Sequence, residues 1–187
     1  MNKNLAYQEQ PREELLNGKI YMMSSPSVNH CQISSNIYYA FRNYLEGKTC
    51  MPFGDGVDVY LTENDRIIPD AMIVCNKDII KMDGIHGVPN LVVEILSPST
   101  AKNDRGYKKY LYEKSGVKEY WIVDPVTRSI EAYLLTNGEY ILDEFYAVPP
   151  NAFGITEQER KETKKEIPVS FYDDLYIPLD KIFQNLF

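Results

Sequence analysis

Cysteine is scarce in this chain. Cys31, Cys50 and Cys75 are odd in number, scattered through 187 residues and without a Cys-x-x-Cys pair. This argues against a disulfide framework and a zinc knuckle, and reads as small buried side chains in a reducing compartment. Long apolar runs are missing too. No stretch approaches the ~20 residues needed to cross a bilayer, and Met1 to Glu9 lack the apolar centre of a signal peptide, so the expectation is a cytoplasmic protein with no membrane partner. There is no Gly-x-Ser-x-Gly elbow, which discounts Ser97 as a nucleophile with His30 and Asp70. A Gly-rich phosphate loop and a dinucleotide fingerprint are absent as well. Positive charge is in deficit: 20 Lys and Arg against 27 Asp and Glu give a formal net charge of -7, which counts against a broad basic coat for nucleic acid.

What is present suffices for one domain, spanning 1–187, with a sizeable core, since 44% of residues are hydrophobic and 25% charged. Lys19 to Met23 reads as a first strand after an Asn17-Gly18 turn, and Pro26 to Glu46 carries Ile33, Ile37, Phe41 and Leu45 at helical spacing. Val57 to Leu61 and Ile67 to Cys75 read as a hairpin. Leu91 to Leu96 is apolar except at Glu94, the pattern of a strand covered on both faces. Pro98 and the Ser97/Ser99/Thr100 cluster end it, and a helix follows from about Asp104 to Ser115, stopped by Gly116. Glu119 to Val123 resumes as a strand, so strand, helix, strand predicts a right-handed parallel crossover. Ser129 to Ala147 reads as a hairpin turning at Asn137-Gly138. Residues 157–166 read as an exposed loop or loose helix, Ile167 to Phe171 as a strand and Pro178 to Leu186 as a closing helix.

Candidate chemistry concentrates between Ile67 and Pro125. Asp70 follows Pro69 inside an apolar segment, and a proline there forfeits a ladder hydrogen bond, which places the carboxylate at a strand start, an edge or a bulge. Glu94 interrupts an otherwise apolar strand, and an unpaired buried carboxylate costs several kcal/mol, so it requires a metal or a basic partner. Asp70 and Glu94, with a backbone carbonyl such as that of Ile95, leave open positions for water and phosphate oxygens, which suits Mg2+ or Mn2+ better than a closed zinc site. Asp104, Lys108 and Tyr112 fall at i, i+4 and i+8 on one helix face. Lys108 on that face can orient water or offset charge on a phosphoryl transition state, and Lys109 is a second candidate for phosphate contact. Against this stands the bland reading of surface ion pairs. His30 reads as a packed or hydrogen-bonded helix histidine, and His86 as a loop residue.

Pro69-Asp70 on one strand, Glu94 on the next, then Ser97-Pro98-Ser99-Thr100, Asp104, Lys108, Tyr112, Gly116-Val117 and Glu119 to Pro125 closely resemble the Uma family of restriction-endonuclease-like nucleases in the PD-(D/E)XK superfamily. The likeness extends to Glu14 to Gly18, His30 and Leu179 to Phe183. It implies an α/β restriction-endonuclease-like mixed sheet, with a core of helix, three strands, helix and strand over about 19–125, and an added C-terminal hairpin and helix over about 126–187. It further implies a Mg2+-dependent (or Mn2+-dependent) endonuclease acting on DNA, with Glu14 as an outer metal ligand. The generic superfamily pattern places the lysine two residues after the second acid, where this chain has Leu96. In Uma-like proteins that lysine lies on the following helix, at the position of Lys108. The rival reading is a catalytically inactive module that keeps the fold and binds protein or nucleic acid. Cutting both strands of a duplex is easiest with two active sites, so a homodimer paired through the Ser129 to Ala147 hairpin is expected.

Overall fold

The computed structural model describes residues 12–148, 156 and 163–187. Glu13–Leu16 (β1) and Lys19–Met22 (β2) form a hairpin through Asn17-Gly18, both with positive φ, and Val28–Leu45 (α1) follows. Next come Met51–Gly54 (β3), Val59–Thr62 (β4), Asp65–Ile67 (β5), Ala71–Val74 (β6), Ile80–Lys81 (β7), Gly84–His86 (β8) and Leu91–Ile95 (β9). The second long helical segment is composite. Ala101–Asn103 (α2) runs into a π-helical turn, Asp104–Lys108, and then into Lys109–Ser115 (α3). Gly116 ends it in the left-handed region. Glu119–Asp124 (β10), Ser129–Thr136 (β11), Glu139–Ala147 (β12), Glu166–Pro168 (β13), Tyr176–Pro178 (β14) and Leu179–Ile182 (α4) complete the described chain.

Two six-stranded sheets result, ordered β12-β11-β10-β9-β6-β3 and β2-β1-β5-β4-β8-β7, beside the small β13-β14 pair. In the first, β9 and β10 are parallel, as the α2–α3 crossover requires, and the other neighbours are antiparallel. All five residues of β9 are buried because both faces are covered. Leu91, Val93 and Ile95 pack with Ile33, Ile37 and Phe41 of α1, while Val92 joins Leu111 and Tyr112 of α3 on the other side. By the two-residue period, Glu94 therefore sits on the α3 face. None of the described helices is long and apolar enough to cross a membrane.

Several expectations need correction. Cys50 and Cys75 are joined in a disulfide between the start of β3 and the end of β6, and only Cys31 is free. Antiparallel pairing of Met51 with Val74 brings the two together, a contact that spacing alone did not reveal, and it removes the support for a reducing compartment. The stretch from Ile67 to Cys75 is not one strand. Val59 pairs with Ile67 as the hairpin reading required, but Ile68, Pro69 and Asp70 then carry the chain into the other sheet. The first strand is β1 rather than β2, its four residues being too short to show a period. The closing helix covers only Leu179–Ile182. The 157–166 reading falls mostly on residues outside those described.

Candidate active site

Register sets the two acids side by side. In the antiparallel β6–β9 ladder Ala71 faces Val93 and Met72 faces Val92, so one step further Asp70 comes opposite Glu94. β5 ends at Ile67, and Pro69, which has no N–H for a ladder, lies in the crossing to β6, so Asp70 stands just before β6 at the sheet's end. Its carboxylate is fixed from two sides: Oδ2 accepts the Ile95 N–H at 2.6 Å, and Oδ1 lies 2.7 Å from His30 Nε2. Ser34 of α1 also donates to the Asp70 carbonyl at 2.8 Å. Each carboxylate oxygen retains a second lone pair for another partner.

Glu94 meets the second helical segment. Its Oε1 accepts from Tyr112 OH and from Lys108 Nζ at 3.2 Å. Asp104, Lys108 and Tyr112 are all buried, so the i, i+4, i+8 face is the inward face. The π turn spans Asp104 to Lys108, the kind of helical irregularity that concentrates at functional sites. Lys108 Nζ also lies 2.8 Å from Glu14 Oε1 and 3.6 Å from Asp104 Oδ1, and Glu14 Oε1 accepts the Ile68 N–H at 2.9 Å. Glu14 thus contacts the lysine and the strand break leading to Asp70.

Four buried carboxylates, Glu14, Asp70, Glu94 and Asp104, surround this region, while one lysine lies among them. Burial pushes the Glu94 carboxyl well above its ordinary value; Lys108 opposes this, and Asp104, Asp70 and Glu14 add to it. Burial also raises Asp104, with Lys108 opposing. For Lys108, burial works against the ammonium, but Glu94, Glu14 and Asp104 outweigh it and hold the group charged. One ammonium cannot neutralise its three carboxylate neighbours, so the acids compete for protons or for another cation.

A cleft of about 640 Å³ opens onto Asp70, Glu94, Ile95 and Lys108. His30 lines it too, and its Nδ1 is buried without a hydrogen-bond partner. Burial lowers the affinity of this imidazole for a proton, but the Asp70 contact outweighs it and the net shift is upward. The expectation of a packed or hydrogen-bonded helix histidine is met by this bond to Asp70. The local signal is a histidine in the first turn of a helix capped by Ser27, which, like the family resemblance at His30, does not name a partner 40 positions away. Glu14, Asp104 and Tyr112 lie behind Lys108 and Glu94 rather than along the cleft wall. Lys109 is turned elsewhere, with Nζ 3.5 Å from the centre of the Tyr133 ring.

Among the described residues no three His, Cys, Asp or Glu side chains are grouped as a metal centre. The available donor set is smaller: the Asp70 and Glu94 carboxylates, and the Ile95 carbonyl beside them. A small hard cation that keeps several waters and takes one or two carboxylates plus substrate phosphates suits such a set. The excess of buried negative charge over Lys108 supplies the electrostatic reason for it.

Helix, three antiparallel strands, helix and parallel strand, with two acids at the end of adjacent strands, define a restriction-endonuclease-like nuclease fold. The chain shares this fold with a crystal structure described as "a putative nuclease belonging to DUF820" from Anabaena variabilis ATCC 29413, with a TM-score of 0.69 and 20% identity over 92% of this chain and 90% of the other. Residues 3–158 match the family "Uma2: Putative restriction endonuclease", and the chain belongs to that family. It is also 32% identical over 133 residues to "Uncharacterized protein slr1290" of Synechocystis sp. (strain ATCC 27184 / PCC 6803 / Kazusa), covering 69% of this chain and 70% of that protein.

Proposed function

We propose that this protein is a Mg2+- or Mn2+-dependent endonuclease that hydrolyses DNA phosphodiester bonds, with Asp70, Glu94 and the Ile95 carbonyl holding the metal and Lys108 as the catalytic lysine. The observation that carries this reading is that Asp70, Glu94 and Lys108 line one cleft, with the Asp70 carboxylate on the Ile95 N–H next to Glu94 and Lys108 paired with Glu94. When bound, the metal supplies a positive centre that polarises the phosphate and activates water. The chain's own residues do the rest. His30 and the Ile95 N–H hold Asp70, and Tyr112 and Lys108 hold Glu94. Lys108, kept protonated by its acidic neighbours, offsets the charge that accumulates on the phosphoryl oxygens as water's oxygen bonds to phosphorus and the bond to the leaving sugar oxygen breaks.

Supercoiled plasmid and branched DNA, incubated with the wild type and with Asp70→Ala, test this. Nicking that requires Mg2+ or Mn2+ and vanishes in the variant is expected. Wild-type inertness on duplex, branched and single-stranded DNA alike would overturn it and favour the non-catalytic module. We further propose a homodimer through β12, an edge strand exposing Ile141, Leu142 and Phe145. Light scattering that shows monomer alone across micromolar concentrations would remove that proposal.

A further inference from the structure

Four side chains able to carry positive charge line the cleft: Arg12, His30, Lys108 and Arg128. Three are engaged. Arg12 forms a two-pronged pair with Asp55, with Nη1 2.9 Å from Oδ2 and Nη2 meeting Oδ1. His30 is on Asp70, and Lys108 lies among Glu14, Glu94 and Asp104. Arg128 is exposed, and among the described residues no carboxylate pairs with it and its guanidinium makes no hydrogen bond.

Its backbone is equally distinctive. Four non-glycine residues among those described have positive φ, and three are asparagines, the residue type that tolerates the left-handed region. Arg128, at φ 51°, is the exception. The turn that holds it is braced: Asp124 Oδ1 accepts the N–H of Val126 at 2.8 Å, and the Arg128 carbonyl accepts the Val148 N–H at 3.0 Å. The turn therefore presents an unpaired guanidinium to the cleft from a backbone conformation that a β-carbon disfavours, so the side chain rather than the turn accounts for an arginine there.

We propose that Arg128 is the phosphate anchor of this cleft, gripping the sugar-phosphate strand presented to Asp70 and Glu94. The proposal rests on the nuclease reading. A phosphodiester approaching a cluster of carboxylates is repelled, and the net charge of -7 gives the chain no overall positive charge to counter this. A planar guanidinium with free donors can take two phosphate oxygens at once, which a lysine cannot.

The test is fluorescence anisotropy of a labelled DNA duplex, and of its single strand, in Ca2+ over a series of salt concentrations, with wild type, Arg128→Asn and Arg128→Lys. Asparagine suits the backbone, so Arg128→Asn should melt at or above the wild-type temperature while binding about tenfold more weakly and losing about one unit of the log Kd against log salt slope. Arg128→Lys should keep that slope and lose only part of the affinity. Arg128→Asn binding with wild-type affinity and slope would overturn the anchor while leaving the nuclease reading intact. A wild type that binds neither DNA would overturn both.

Discussion

Lys108 and Glu14 form a buried ion pair, Nζ to Oε1 2.8 Å, tying the π turn of the second helical segment to the first strand of the other sheet. Glu94 and Asp104 complete the lysine's surroundings. Truncating a buried charge that serves three opposite charges leaves them uncompensated. Lys108→Ala should therefore cost ~3 kcal/mol at neutral pH. The loss should shrink in mild acid, where the orphaned carboxyls can take up protons. Urea unfolding at the two pH values checks both parts.

Tyr112 acts on Glu94 through one hydrogen bond. Tyr112→Phe removes the donor and leaves the packed ring, so stability should fall by ~1–2 kcal/mol. A ligand left without its orienting partner should bind Mg2+ about tenfold more weakly. Calorimetric titration reads the second effect separately from the first.

The raised Glu94 carboxyl fixes the sign of a pH effect. Burial, reinforced by Asp104, Asp70 and Glu14 against Lys108, makes the folded chain hold this proton more tightly than the unfolded chain does. That contribution to stability is complete below the ordinary glutamate value of about 4.3 and is lost as pH rises through the raised folded value. His30, also raised, acts in the same direction. In chelator, the melting temperature of the wild type should fall as pH rises above the ordinary glutamate value of about 4.3, more steeply than that of Glu94→Gln. Parallel curves would show that Glu94 is not the group responsible.

The Cys50–Cys75 bridge spans a sequence separation of 25 and joins β3 to β6 at the end away from Asp70. Reduction should cost roughly 3 kcal/mol of stability. Metal binding should be unchanged, because Cys75 follows β6 whereas Asp70 precedes it. Thermal unfolding and calorimetry with and without reductant check the pair of outcomes.

Much of the site's framework is written in local patterns. A lone carboxylate in an apolar strand singles out Glu94, a proline inside an apolar segment singles out Asp70, and four-residue spacing places Lys108 and Tyr112 on the inward helix face. Contacts between distant segments are not local. The His30–Asp70 link, the Glu14–Lys108 pair and the Cys50–Cys75 bridge depend on which strands pair and which helix end lies over them, and no period in one segment encodes that. Pro69 did signal the break between β5 and β6, but not that the chain crosses to a second sheet there. Lys109, a second candidate for phosphate contact, lies about 100° round the helix from Lys108, and its ammonium sits over the Tyr133 ring, a partner no local spacing names.

The central claim is that Asp70 and Glu94 together hold the metal that cuts. Isothermal titration of Mg2+ and Mn2+ into the wild type and Glu94→Ala, with DNA cleavage followed on the same samples, addresses it directly. The expected result is metal binding and metal-dependent cutting in the wild type, both lost in the variant. Wild-type protein that binds neither ion, even with DNA present, would contradict it and leave the buried acids as a structural network around Lys108.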